Sequence, residues 1–200
     1  MARKPIPMSD SATAILPQDV KPTILPDSFL DSPAARAAAS FHMPRFDELP
    51  RMELYRDQVL TYIEQVFEPL PLSEGEAWIT PAMVNNYVKC GLVPAPHKKL
   101  YGRSQVVRLL LVCVFKQLLS IAAIQRLFAI QRMTYPDEVA FNYVATELEH
   151  ALASAFSTGE PAPDSASMTT RESLLVRSAV GAFASKTFLM SYLEYSGIEG

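Results

Sequence analysis

Residues 103–119 constrain the fold more than any other part of this chain. Apolar side chains cover nearly every face of this helix-like segment, and its longest apolar run, Leu109 to Phe115, lies between Arg108 and Lys116. A helix that is apolar all round has to be buried, either in a protein core or in a membrane. The run is too short to span a bilayer. The segment therefore predicts the central helix of a soluble core.

The composition agrees with that prediction. A chain of 200 residues with 49% hydrophobic and 20% charged side chains is large enough to bury one sizeable core. Its first residues lack the apolar run of a signal peptide, and no stretch is apolar for long enough to form a transmembrane helix. We therefore expect a cytoplasmic protein with no membrane segment.

A first amphipathic helix is predicted from residue 50 to the proline at position 69. The apolar residues that recur at spacings of three and four along one face are Met52, Tyr55, Val59, Tyr62 and Val66. Proline stops a helix because it lacks the backbone N–H group and clashes with the preceding turn.

A second helix is predicted between Thr80 and Gly91. Threonine is a favoured N-cap, proline at position 81 is a favoured first helical residue, and glycine is common just past the end. The helical period places Val84 and Tyr87 on an inner face. The outer face carries two carboxamides and one ammonium group, those of Asn85, Asn86 and Lys89.

The remaining pattern is also helical. Ser120 caps a helix to about Ala129, and capping-box patterns open further helices at Thr134 to Asp137 and at Thr169 to Glu172. The stripes expected to face inward are Phe141, Val144, Leu148, Leu152 and Phe156 in the first of these two, and Leu175, Ala179, Phe183, Thr187 and Met190 in the second.

These segments predict an all-α fold, with a short two-strand wing in the loop after Gly91. We divide the chain into a proline-rich tail (1–43), a helical domain (44–130) and a C-terminal helical region (131–200) with a flexible linker at 157–168. The tail is expected to be disordered or to drape over the domain, and Ser32 can start a short helix in it, running to Ser40.

Charge is distributed unevenly along the chain. Residues 77–136 contain eight lysine or arginine residues and no acidic residue, so this segment carries +8 in a chain of net charge −3 and the other residues carry −11. Solvated helices normally alternate charge signs. The pattern predicts an acidic ligand, unless carboxylates elsewhere in the fold, such as Glu53, Asp57, Glu147 or Glu149, neutralise these cations.

Double-stranded DNA fits this chemistry. Lysine and arginine neutralise phosphates and release counterions, and asparagine can make a bidentate contact with adenine in the major groove. The helix after Thr80 has the polar face of a recognition helix, and His97, Lys98 and Lys99 follow it on a loop.

The segment TPAMVNNYVKCGLVPAPHKKLYGRSQVVRLLLVCVFKQLLSIAAIQRLF resembles the winged helix-turn-helix of MerR-type bacterial transcription regulators. That family has a recognition helix with tyrosine near its end, a Gly-Leu-Leu-Pro turn, a basic wing ending in tyrosine, a long helix and a short helix introduced by serine. The matching positions here are Tyr87, Gly91 to Pro94, Tyr101 and Leu119 to Ile121. An uncharacterised bacterial domain family, in which an NNYVK helix follows a longer helix starting with PRFDELP, is the most similar.

The resemblance implies a homodimeric, sequence-specific DNA-binding regulator. The DNA-binding residues that we assign on the residue pattern and the resemblance together are Thr80, Asn85, Asn86, Tyr87, Lys89, His97, Lys98, Lys99, Tyr101 and Arg103. A small-molecule effector bound among the C-terminal helices is compatible with this hypothesis. The alternative hypothesis is a protein-interaction module of the same shape that binds an acidic protein.

Enzyme chemistry is not expected. The sequence has no glycine-rich phosphate loop and no H-E-x-x-H pattern, and its three histidines and two cysteines are not spaced as metal ligands. We therefore predict no catalytic residue, no metal site and no cofactor.

Overall fold

The computed structural model describes residues 27–72, 75–157 and 163–197. These ranges are mostly helical, with one small antiparallel sheet, so the predicted helical class is confirmed. The elements are α1 (Pro33–Ala39), β1 (Leu54–Tyr55), α2 (Arg56–Phe67), α3 (Pro81–Lys89), β2 (Leu100–Tyr101), α4 (Arg103–Phe115), α5 (Ile121–Thr134), α6 (Asp137–Ala155) and α7 (Arg171–Ser196). A short 3-10 helix, Asp27–Phe29, precedes them.

Helix α4 is the centre of the core, as predicted. Every residue from Val106 to Phe115 is buried, and α4 contacts α2, β2, α6 and α7. It ends at Phe115, four residues earlier than expected. The backbone N–H groups of Leu118 and Leu119 both donate to the Phe115 carbonyl, which forms a tight turn at the end of the helix. No helix in the described ranges is long and apolar enough to cross a membrane.

The two-strand sheet differs from the predicted wing. Leu100 and Tyr101 pair with Tyr55 and Leu54, which precede α2, instead of with the first arm of the loop after Gly91. That arm contains two prolines, at positions 94 and 96, which cannot donate ladder hydrogen bonds. Within the loop itself, only an isolated bridge joins His97 to Leu100.

The first long helix, α2, begins at Arg56, later than the predicted start at residue 50. Residues 54 and 55 form β1, and Met52 and Tyr55 are exposed instead of lying on the inner face. The buried face of α2 consists of Val59, Ile63 and Phe67. Tertiary pairing with β2 therefore overrides the local helical period.

The boundary between α5 and α6 also differs from the prediction. Ser120 caps α5 as expected, but α5 continues to Thr134, so this threonine cannot cap the next helix. Tyr135 adopts extended backbone angles, which the residue before a proline favours. Pro136 is the N-cap position of α6, and no side chain caps that helix. The domain boundary that we placed between 130 and 131 falls inside α5.

The stripe predicted for α7 is only partly correct. Phe183 and Thr187 are buried, whereas Leu175 and Met190 are exposed. Steps of four residues advance 400° in a helix of 3.6 residues per turn, so a run of such steps drifts around the axis. The capping box is also shifted by one residue, since Thr170 and Ser173 exchange the two hydrogen bonds.

Part of the proline-rich tail belongs to the core. Residues 1–26 of the expected tail lie outside the described residues. Phe29 is buried against an aromatic group on α6 and α7 that includes Phe156, Phe188 and Tyr192. Ser32 caps α1 as predicted, and Ala35 and Ala38 of this helix are buried.

The described end of the expected flexible linker is held by hydrogen bonds. Of this segment, 158–162 lie outside the described residues. The backbone N–H of Ser165 donates to the buried carboxylate of Glu147 at 3.0 Å, and the Tyr143 hydroxyl donates to Asp164 at 2.8 Å. Residues 164 and 165 are therefore fixed against α6.

An ion pair fastens the segment after α1 to α6. The Arg45 guanidinium donates to both Glu149 carboxylate oxygens, at 2.8 and 2.6 Å, and the Met43 backbone N–H donates to the same carboxylate at 2.9 Å. Burial alone would raise the pKa of Glu149, but these hydrogen bonds outweigh it and hold the pKa below its ordinary value.

We expect Glu149→Gln to lower the free energy of unfolding by about 2 kcal/mol at neutral pH, because it weakens hydrogen bonds to a charged group. A carboxyl group with a lowered pKa in the folded state stabilises fully above its unfolded pKa, and this contribution disappears as the pH falls through the folded pKa. The difference between wild type and variant, measured by urea unfolding, should therefore shrink below about pH 4.5. Glu53→Gln, at an exposed carboxylate with no ion pair in the described ranges, should cost nothing.

Candidate nucleic-acid interface

Both ends of α3 are fixed by local hydrogen bonds. The Thr80 hydroxyl oxygen accepts from the Met83 N–H at 3.2 Å. At the other end Gly91 adopts a φ of +71°, and the N–H groups of Gly91 and Leu92 donate to the carbonyls of Val88 and Tyr87. This is a Schellman motif, which favours glycine at the left-handed position. The predicted caps of this helix are confirmed.

The predicted faces of α3 are confirmed as well. Val84 and Tyr87 are buried, and the carboxamides of Asn85 and Asn86 and the ammonium group of Lys89 are on the exposed face. Burial raises the pKa of the Tyr87 hydroxyl to about 12. Asparagine is a poor residue for the middle of a helix, so two adjacent, exposed asparagines do not stabilise α3.

A tight turn holds two lysines at the tip of the following loop. The backbone groups of His97 and Leu100 exchange two hydrogen bonds, of 3.1 and 2.8 Å, around Lys98 and Lys99. Both lysines adopt positive φ, +48° and +68°. Positive φ at both central residues is the feature of a type I′ turn, which normally contains Asn-Gly. A side chain with a β-carbon costs about 1–2 kcal/mol in this conformation.

The eight cations of the acid-free segment separate into two groups in the structure. Three are tied to the fold: Arg103 donates to the carbonyls of Leu49 and Pro50, Arg108 pairs with Asp137 at 3.0 Å, and Lys116 donates to the Ala77 carbonyl at 2.8 Å. The other five are exposed and form no salt bridge or hydrogen bond with the described residues. They are Lys89, Lys98, Lys99, Arg126 and Arg132.

Three of the four carboxylates that could have neutralised this segment pair with other cations, and Glu53 forms no ion pair within the described residues. Glu149 pairs with Arg45 at 2.6 Å, Glu147 with Arg177 at 3.2 Å, and Asp57 with its neighbour Arg56 at 3.5 Å. Among the described residues, Asp137 is the one acidic side chain that pairs with a cation of the segment. The ion pairs of the described residues therefore involve none of the five exposed cations of this segment.

Six of the ten DNA-binding residues that we assigned from the sequence are exposed: Asn85, Asn86, Lys89, His97, Lys98 and Lys99. The other four serve the fold. Thr80 caps α3, and Tyr87 and Tyr101 are only 4% and 5% exposed. The Arg103 guanidinium lies over the Phe46 ring at 5.6 Å while it donates to two backbone carbonyls. These four residues have structural roles in this fold, and their contact with DNA stays a prediction.

Helix α5 contributes cations that we did not assign from the sequence. The Gln125 carboxamide donates to the Cys90 carbonyl at 2.7 Å, which places α5 against the end of α3. Arg126, next to Gln125, and Arg132 are exposed on the same helix. Both arginines belong to the segment without acidic residues, which the sequence already marked as positively charged. The sequence does not show that α5 contacts α3.

The cysteines and histidines in the described ranges are not part of a cluster of possible metal ligands. Among the residues that the structure describes, no group of three or more histidine, cysteine or acidic side chains could hold a metal ion. Cys113 is buried in α4, its thiol lies 3.2 Å from the Trp78 carbonyl, and burial raises its pKa to about 12. This thiol packs in the core.

Residues 44–148 match the model of a protein family described as a domain of unknown function, DUF1836. The match covers more than half of the chain. This protein belongs to the DUF1836 family. No curated protein and no solved structure matches it.

The DUF1836 region contains all the elements of the candidate interface. It begins at residue 44, where we began the helical domain, and it continues beyond residue 130 into α6. The expected membership of an uncharacterised domain family is thereby confirmed. The elements that follow, the end of α6 and all of α7, lie outside the matched region.

The strain of the two-lysine turn can be separated from its charge. We expect Lys98→Asn/Lys99→Gly to raise the free energy of unfolding by about 1 kcal/mol, because asparagine and glycine tolerate positive φ. Lys98→Ala/Lys99→Ala removes the same charges but keeps both β-carbons, so it should give no such gain. Thermal unfolding of the two variants tests this, and equal melting temperatures would contradict strain in the turn.

Proposed function

We propose that this protein is a sequence-specific DNA-binding transcriptional regulator of the MerR-like winged helix-turn-helix type, and that it acts in the cytoplasm as a homodimer. One observation carries the proposal. Two lysines occupy a turn whose positive φ angles favour Asn-Gly, and this turn follows a helix whose exposed face carries Asn85, Asn86 and Lys89. Strained backbone often persists where it serves function.

The arrangement supports specific roles for the exposed residues. In the proposal, α3 enters the major groove, where the carboxamides of Asn85 and Asn86 hydrogen-bond to base edges. Lys98 and Lys99 neutralise phosphates beside that groove, and Lys89 does so at the end of α3. The contact between α2 and α3 supports the helix-turn-helix arrangement.

A homodimer would place two copies of α3 in successive major grooves, about 34 Å apart. The exposed face of α7 supports such a dimer, because Leu189 and Leu193 are 54% and 50% exposed. Leu175, Ala182 and Leu189 lie seven residues apart on this face. This spacing is typical of a helix that packs against a second copy of itself.

An acidic protein is the second candidate partner, because the same exposed cations would attract it. The two functions differ in the dependence on salt and duplex sequence. Counterion release from DNA gives a linear fall of log K with log salt, with a slope of about −0.9 per phosphate contact.

We expect Lys98→Ala/Lys99→Ala to weaken binding to a random-sequence duplex and to make the salt slope shallower by about 1.8 units, since two phosphate contacts are lost. Lys98→Asn/Lys99→Gly should lose as much, although it folds more stably, whereas Lys98→Arg/Lys99→Arg should retain the slope. The measurement is fluorescence anisotropy across a salt series. Arg36→Ala, which removes an exposed charge from α1, is the matched control. Equal slopes for all variants would contradict contacts between Lys98 or Lys99 and DNA phosphates.

The dimer is tested separately. We expect Leu189→Glu/Leu193→Glu to convert the protein to a monomer. The two protomers would together place four carboxylates in the interface between two apolar helix faces. Sedimentation velocity measures the change, and Met133→Glu, at a single exposed apolar residue on α5, should leave the dimer intact. A wild-type protein that sediments as a monomer would contradict the interface.

A further inference from the structure

A cavity of about 370 Å³ lies between α4, α5, α6 and α7. Its size is within the range of pockets that bind small molecules. Most of its wall is apolar, and the side chains that form it include Val107, Leu111, Phe115, Phe128, Val144 and Val176. The cavity lies away from the exposed cations of α3 and the lysine turn, none of which lines it.

One charged side chain in the wall has an unused hydrogen-bond donor. Arg108 is 5% exposed, and its guanidinium lies 4.5 Å from the centre of the Phe128 ring. Its Nη2 donates to Gln131 at 3.2 Å and to Asp137 at 3.0 Å. Its Nη1 is buried and has no hydrogen-bond partner in the described residues. Buried donors in proteins are normally paired, so an unpaired guanidinium nitrogen beside a cavity calls for an acceptor.

The open side of the cavity is apolar and well anchored. Three of its lining residues outside the proposed dimer face are exposed hydrophobic side chains: Tyr135, Val139 and Met168. Residues 166–168 form one edge of the cavity; they follow Ser165, whose backbone N–H donates to Glu147, and the Ala166 N–H donates to Asp164. An exposed apolar rim around an apolar cavity marks a route of entry for an apolar ligand.

The charges in the wall select the class of ligand. Asp137 already balances Arg108, and Glu172 also lines the cavity, so a carboxylate ligand would meet two like charges. A cation would meet the guanidinium. An uncharged oxygen acceptor meets neither penalty and pairs the free donor.

We propose that this cavity binds an uncharged, mainly apolar small molecule whose carbonyl oxygen accepts a hydrogen bond from Arg108. The proposal does not depend on DNA binding. It gives a place and a chemical class to the small-molecule effector that the sequence left open.

Competition between matched probes tests the class of ligand. The neutral fluorescent dye N-phenyl-1-naphthylamine is bound to the full-length protein and displaced with benzophenone, with diphenylmethane, which replaces the carbonyl by a methylene group, or with 4-benzoylbenzoate, which adds a negative charge. Benzophenone should displace the dye at a concentration at least about tenfold lower than either of the others, as one hydrogen bond to a charged donor is worth 1.4 kcal/mol or more. Equal displacement by benzophenone and diphenylmethane, or tighter binding of the benzoate, overturns the proposal.

Two variants on one helix locate the binding. Ala140 lines the cavity, whereas Ala153 is exposed on α6 and outside it. Ala140→Phe should fill the space and weaken dye binding at least tenfold, and Ala153→Phe should leave it unchanged, with melting temperatures measured for both. Unchanged dye binding by a folded Ala140→Phe variant, or no dye binding by the wild type, contradicts the site.

A double variant tests the role of the arginine. Arg108→Met/Asp137→Asn removes the ion pair as a unit, so that no unpaired charge remains in the wall. It should bind the dye but lose the preference for benzophenone over diphenylmethane. A retained preference would show that another group binds the carbonyl, and the comparison of competitors on the wild type stands whether or not this variant folds.

Discussion

The burial of α4 on every face is the constraint on which the described fold depends. Ten consecutive residues of this helix, Val106 to Phe115, are buried, so other elements have to cover each side. Helices α2, α6 and α7 and strand β2 do so. The burial of Arg108 favours its ion pair with the partly exposed Asp137, and the helices around α4 leave a cavity beside this arginine.

Local signals in the sequence were sufficient where local hydrogen bonds determine the structure. Thr80, Gly91 and Ser120 end or begin helices as predicted, because each satisfies backbone groups within four residues of itself. The predictions failed where a distant partner decides. Tyr55 leaves the helical pattern because it pairs with Leu100, which follows it by 45 positions. The prediction that Thr134 caps α6 was wrong for a local reason that we overlooked, the extended backbone required before Pro136.

The candidate interface was predictable in outline from helical period and charge, which place Asn85, Asn86 and Lys89 on an outer face. The separation of the cations was not predictable. Arg103 is bound by backbone carbonyls about fifty residues away, and Arg108 by a helix that follows it in the chain. Nothing in the sequence indicated that Lys98 and Lys99 adopt positive φ. Helix α5 contacts the end of α3 through Gln125 and also lines the cavity, so it connects the two proposed sites.

Selection of bound duplexes from a random-sequence library tests the central claim most directly. If the protein is a homodimeric DNA-binding regulator, the wild type should enrich a two-fold symmetric site with half-sites about one helical turn apart. We also expect that Asn85→Ala/Asn86→Ala, which introduces better helix formers, stays folded but no longer enriches that site. A protein that retains no duplex even at low ionic strength would contradict DNA binding and would favour an acidic protein partner.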